Sequence, residues 1–173
     1  MQTFKLKTLM QLLALCSISN QSFAKAQEVF GTWGFLEADK LATIWLIKRY
    51  ISPDNEIIWV KEYTKPYNVT LFDTPMGGLT RSAKMATYET VLLHYNITDE
   101  AATSMVPYIH DIEINTWGNK RYEESYIIES ELTKLLGSQL SKSEVVTSSL
   151  VFFDTLTKRT QTRDVTYIPE GTK

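Results

Sequence analysis

One of the two histidines in the chain stands beside two acids, in the stretch VPYIHDIEINTW. His110 is followed directly by Asp111 and, three residues on, by Glu113. On a helix, residues three apart share a face, so His110 and Glu113 can reach one ion while Asp111 points away. Imidazole and carboxylate together suit zinc, iron, nickel or manganese. The alternative is a solvated helix face, because two helical ligands are too few for a tight metal site.

Other catalytic patterns are missing from the sequence. It contains no GxSxG nucleophile elbow, no Walker loop and no GxGxxG fingerprint. The Gly77-Gly78 pair is too short to be called a phosphate cradle and indicates only a flexible turn. Any site must therefore be assembled from acids and histidine on separate elements.

The N-terminal segment, residues 1–24, has the pattern of a secretory signal peptide. Lys5 and Lys7 precede an apolar run, which ends in the small-residue sequence Ser22-Phe23-Ala24. The apolar run is too short to span a bilayer comfortably. The pattern predicts cleavage after Ala24 and export to the periplasm or medium, with no stable membrane insertion afterwards. A lipoprotein anchored at Cys16 is the weaker alternative, since a large leucine precedes that cysteine.

The composition of the mature chain excludes several classes of function. Cleavage removes two lysines and no acids, so the net charge falls from −2 to −4. A nucleic acid is therefore not expected as a partner, because phosphate binding needs clustered positive charge. Cys16 is the only cysteine and lies in the predicted signal peptide, so thiolate metal sites and cysteine nucleophiles are excluded.

Hydrophobic periodicity predicts a single α+β domain over residues 25–161, mainly helical with a small β element, followed by a polar tail at 162–173. Three short strands are expected, within residues 29–35, 56–63 and 68–75. Asp39 is expected to cap the first helix and Thr98 a later one, and Pro107 to kink or restart a helix. Trp45 is expected to pack in the core. Helices are expected over residues 38–53, 87–97, 98–117, 122–140 and 143–161.

Five stretches occur in a specific order and spacing that covers most of residues 32–157. They are Asp39 with Arg49-Tyr50-Ile51-Ser52-Pro53, Phe72-Asp73, Thr87-Tyr88-Glu89, Ile109-His110-Asp111-Ile112-Glu113 and Val151-Phe152-Phe153-Asp154-Thr155-Leu156. Together they resemble the chromate-resistance domain at the C-terminal end of ChrB-type proteins, also described as the chromate resistance exported protein family.

The resemblance implies a pocket that binds a metal ion or a small oxyanion and serves resistance to chromate or metal stress. A buried cluster of acids with one histidine needs positive charge, and a divalent cation is the simplest supplier. The polar positions carried over from the family are Asp39, Glu62, Asp73, Glu89, His110 and Asp111.

Two positions depart from the family pattern. Arg81 stands where the family has a histidine, and Ala86 stands where it has a cysteine. Arg81 is expected either to pair with an acid in the pocket or to hold an oxyanion such as chromate. Two alternatives stay open: a metal-dependent enzyme of unknown substrate, and a non-catalytic interaction domain whose site is degenerate.

Overall fold

A computed structural model describes residues 28–161, in which three parallel strands and a set of helices pack around one central helix. The predicted signal peptide and the tail 162–173 lie outside the described residues, so both stay predictions. The elements in chain order are β1 (Phe30–Thr32), α1 (Ala38–Tyr50), β2 (Ile58–Trp59), β3 (Thr70–Leu71), α2 (Thr87–His94), α3 (Glu100–Ser104), α4 (Val106–Glu113), α5 (Glu123–Leu136) and α6 (Lys142–Thr160).

Helix α1 is the centre of the fold. It is buried on nearly every side from Asp39 to Ile47, and it packs against α2, α4, α5 and α6. A helix that is apolar all round can be stable only when other elements cover it. Trp45 is 2% exposed and packs against Phe153 of α6, which confirms the expected packing role. The predicted α+β, mainly helical class is confirmed.

The strands are much shorter than the sequence predicted. β1 lies in the middle of the sheet, with Gly31 paired to Ile58 of β2 on one side and to Leu71 of β3 on the other. The β-branched and aromatic runs extend further, but only the residues opposite the three-residue β1 find a ladder partner. The chain therefore leaves the sheet early, and the segments after each strand are free to form a cleft.

Two predicted helix caps are wrong, and the predicted break at Pro107 is confirmed. The N-cap position of α1 is Glu37, while Asp39 lies inside the first turn with its side chain bound to another helix. Asp99 rather than Thr98 caps α3, accepting the backbone N–H groups of Ala101 and Ala102. Pro107 lies in the first turn of α4, where its missing N–H costs nothing.

Helix α6 covers one side of α1 and also packs against α3 and α5. Ser141 and Glu144 form a capping box at its start, which satisfies two N–H groups of the helix end. Val145, Ser149 and Phe153 form the buried stripe, and Val146 and Leu150 lie only partly buried beside it. Between residues 28 and 161, no helix is both long enough and apolar enough to cross a bilayer.

Candidate functional site

A cleft of about 460 Å³ lies where the three parallel strands end. Residues 33–37 follow β1, Glu62 follows β2 and residues 73–75 follow β3, and all three segments contribute to its lining. The carboxyl ends of parallel strands are where open sheets with parallel strands usually bind ligands. We call this space the strand-end cleft. Its lining comprises Trp33, Gly34, Phe35, Glu37, Lys40, Glu62, Asp73, Thr74, Pro75, Thr80 and Arg81.

A buried ion pair joins Lys40 and Asp73 at the strand-end cleft. Lys40 is 3% exposed and Asp73 is 5% exposed, and the Lys40 Nζ lies 2.9 Å from the Asp73 Oδ2. The ammonium also donates to the carbonyl of Trp33 at 2.8 Å. The Asp73 Oδ2 has no partner with hydrogen-bond geometry, so its contact with Lys40 is chiefly electrostatic. Burying two charges costs free energy, so removing either partner alone would leave an uncompensated buried charge.

Arg81 brings a second positive charge to the same place. Its Nε lies 3.7 Å from the Asp73 Oδ1, and its two terminal nitrogens contact the carboxylates of Glu37 and Glu113. Glu113, which shares a helix face with His110, is therefore bound to Arg81 rather than placed beside the imidazole. The Arg81 side chain is 42% exposed, so its guanidinium is reachable from solvent.

Asp39 lies fully buried and holds the first turn of α2. Its carboxylate accepts the backbone N–H groups of Thr87 at 2.8 Å and Tyr88 at 2.9 Å. Burial raises the pKa of Asp39, against the opposing effect of the hydrogen bonds from Tyr88 and Thr87. The Thr87 hydroxyl lies 3.3 Å from the Asp73 Oδ1, so one residue links the two acids. Glu62, in contrast, is an exposed residue on the cleft wall.

Glu89, His110 and Asp111 border a separate cleft of about 330 Å³, which also includes Arg121 and Tyr122. The His110 Nδ1 lies 2.9 Å from the Glu89 Oε2, and that oxygen also accepts the Ala86 N–H at 2.8 Å. The imidazole is thus oriented by a carboxylate that is itself fixed at the start of α2. The contact with Glu89 uses the Nδ1 of His110, so the Nε2 is the ring nitrogen that could bind a ligand.

Asp111 fastens the chain between α4 and α5. It is 2% exposed, and its two oxygens accept the Asn115 Nδ2 at 3.0 Å and the Arg121 backbone N–H at 2.7 Å. Its Oδ1 and Oδ2 therefore already have protein donors. The six predicted acid and histidine positions fall into two groups: Asp39, Asp73 and Glu62 at or behind the strand-end cleft, and Glu89, His110 and Asp111 around the second.

The predicted metal site stays a prediction. In the part of the chain that the structure describes, no three His, Cys, Asp or Glu side chains are grouped so that they could hold one ion. At the strand-end cleft the positive charge that the acids require comes from Lys40 and Arg81 instead.

Two residues of the strand-end cleft, Lys40 and Trp33, were not predicted from the sequence. Lys40 follows Asp39 directly before the apolar run of residues 41–47, and a charged pair at that place is itself a signal. Trp33 was also missed; its Nε1 donates to the Asp73 carbonyl at 3.1 Å, which fixes the indole at the cleft. Neither partner could be identified without the fold.

A family model described as ChrB, C-terminal domain, matches residues 30–160 of the chain. The chain belongs to this family. No curated protein and no solved structure matches it. Of the two positions that are expected to depart from the family pattern, Arg81 lies in the strand-end cleft, whereas Ala86 is fully buried at the start of α2. Of these two, Arg81 is the one on a reachable surface.

Proposed function

We propose that this ChrB-family protein binds a small oxyanion such as chromate in the strand-end cleft, with Arg81 as the principal anchor. One observation carries the proposal: the Arg81 guanidinium is reachable from solvent, and its terminal nitrogens are occupied by two carboxylates from the protein. A guanidinium fork binds a carboxylate and a tetrahedral oxyanion through the same planar geometry. Glu37 and Glu113 thus stand where oxyanion oxygens would bind.

Two cations, Lys40 and Arg81, and three carboxylates line the cleft. Lys40 is paired with the buried Asp73, and Arg81 contacts Asp73, Glu37 and Glu113. An oxyanion must therefore displace a carboxylate to bind Arg81, and Glu37, which is 40% exposed, can turn into solvent. Affinity is therefore expected to be modest and to fall as salt rises.

Equilibrium titration with chromate, and with sulfate as a redox-inert tetrahedral analogue, tests the proposal. Arg81→Gln is expected to lose most of the binding, while Arg49→Gln is the matched control because Arg49 pairs with Asp154 away from the cleft. Glu37→Gln removes a competing carboxylate and is expected to tighten binding by about threefold. Equal binding by the wild type and Arg81→Gln, or no binding by the wild type, would overturn the proposal.

The proposal includes export through residues 1–24 and a contribution to chromate or metal resistance outside the cytoplasm. The charged start, apolar run and Ala24 of that segment support it. Fractionation of cells that express the full chain is expected to find mature protein, beginning at residue 25, in the exported fraction. Unprocessed protein in the cytoplasm would contradict it.

A metal ion at His110 is a second candidate, and one specific contact favours it. Histidine ligands of metals characteristically donate their other ring nitrogen to a carboxylate, which is the arrangement of the His110 Nδ1 and Glu89. The Nε2 would be the ligand atom, with water completing the shell. Elemental analysis of protein purified without chelator is expected to find a metal that His110→Ala loses and the control His94→Ala keeps. Metal-free wild-type protein would exclude this candidate.

A further inference from the structure

The strand-end cleft is larger than an inorganic oxyanion requires. Its volume of about 460 Å³ lies within the range of roughly 300–1,000 Å³ in which proteins bind small organic ligands. A single tetrahedral ion at Arg81 would fill only one end of it. The rest of the cleft could hold a further part of a larger ligand, and the residues that line it indicate the chemistry of that part.

Aromatic side chains form one wall of the cleft and its edge. Trp33 and Phe35 line it, and the ring of Tyr63 lies 5.7 Å from that of Trp33. Phe35 is 92% exposed and Tyr63 is 70% exposed, so large apolar surfaces face solvent beside a charged floor. Exposed aromatic rings next to a few fixed polar groups are typical of sites that bind planar organic molecules.

One strained backbone position lies beside the cleft. Among residues 28–161, four residues other than glycine have a left-handed backbone, and three of them are Asn or Asp, which are enriched in that conformation. The fourth is Tyr63, with φ of 57°. Its ring contacts Trp33, which lines the cleft. Strain of this kind can position a group for a ligand.

We propose that the ligand of the strand-end cleft is an organic oxyanion, namely a planar aromatic ring that bears a phosphate or carboxylate group. The anionic group binds Arg81 at the polar end, and the ring stacks against Phe35 and Trp33. This inference rests on the proposed function, since it uses the same anchor. It adds the class of molecule to which the oxyanion belongs.

The test compares phenyl phosphate with inorganic phosphate on the wild-type protein and three variants. Phenyl phosphate is expected to bind about tenfold tighter than phosphate. Phe35→Ala is expected to reduce that preference several-fold, because only Trp33 is left to contact the ring, and to change phosphate binding at Arg81 far less. Tyr67→Ala is the matched control, because Tyr67 is 90% exposed but borders a different groove. Arg81→Gln is expected to lose both ligands. Since Phe35 is almost wholly exposed, its truncation should not disturb folding.

The outcomes separate this inference from the proposed function. Equal affinity of the wild type for both probes, or a preference as large in Phe35→Ala as in the wild type, overturns the organic ligand and leaves oxyanion binding at Arg81 intact. Binding that survives in Arg81→Gln overturns the anchor and both proposals with it. No binding of either probe to the wild type also overturns both.

Discussion

The Asp39 carboxylate, in the first turn of α1, accepts the backbone N–H of Thr87 at 2.8 Å across 48 residues of sequence. The same carboxylate accepts the next N–H of α2, so a residue of one helix caps another. The N-cap position of α2 is Ala86, whose side chain has no acceptor, and the cap is therefore supplied from outside the helix.

Asp39→Ala is expected to destabilise the protein by about 3 kcal/mol, because it leaves two buried N–H groups of α2 without an acceptor. Asp39→Asn keeps one acceptor oxygen and is expected to cost clearly less. Urea unfolding at neutral pH measures both. An Asp39→Ala protein as stable as the wild type would mean that water reaches the start of α2.

Lys40→Met is expected to cost about 3 kcal/mol, because it leaves the Asp73 carboxylate buried without its closest cation. The double variant Lys40→Met/Asp73→Asn removes both charges and is expected to regain most of that loss. Chemical unfolding of the two variants decides the point. A double variant no more stable than Lys40→Met would show that the ion pair is not the source of the effect.

Asp154 gives the protein a pH-dependent contribution to stability. Hydrogen bonds from Arg49, and then from Trp45, lower the pKa of Asp154. A lowered pKa in the folded state means that the contribution is present above the unfolded value of 3.8 and is lost as the pH falls through the folded value. At pH 7 the free energy of unfolding of the wild type should exceed that of Asp154→Asn by about 1 kcal/mol. The difference is modest because the ion pair of Asp154 with Arg49 is partly exposed.

Thermal unfolding of the wild type and Asp154→Asn between pH 2 and pH 7 checks this expectation. The difference between the two proteins should shrink as Asp154 is protonated. Glu131→Gln is the control, since Glu131 forms only a surface pair with Lys134 and should change little at any pH. A difference that stays constant to the lowest pH would contradict the assignment.

The two adjacent glycines after β3 are expected to differ sharply in their tolerance of a side chain. A Cβ on Gly77 would lie 2.5 Å from the Leu71 carbonyl oxygen, whereas a Cβ on Gly78 meets nothing within 4 Å. Gly77→Ala should therefore destabilise by about 2 kcal/mol or more, while Gly78→Ala should stay within about 0.5 kcal/mol of the wild type. The melting temperatures of Gly77→Ala and Gly78→Ala test this difference. Equal melting temperatures of the two variants would contradict it.

Most of the helices could be predicted because they carry their own apolar period, and the break before Pro107 because proline acts locally. The strand lengths could not, since they depend on how many residues of β1 are available to pair. The role of Asp39 could not be predicted for the same reason. Its position in the sequence favours a cap of its own helix, and only the fold brings the start of α2 to its carboxylate. The ion pair of Asp73 with Lys40 likewise joins segments that are distant in sequence, whereas the contact of Arg81 with an acid of the pocket was one of two expectations for that residue.

The pairing of Phe30 with Thr70 in a parallel ladder has a consequence for how the protein folds. Parallel strands cannot be joined by a tight turn, so α1 and the whole of β2 lie between these partners. The chain must close that loop before the pairing contributes any free energy, which makes it a slow step compared with forming the helices. The strand-end cleft is then among the last features to assemble. A ligand bound there would slow unfolding more than it speeds folding.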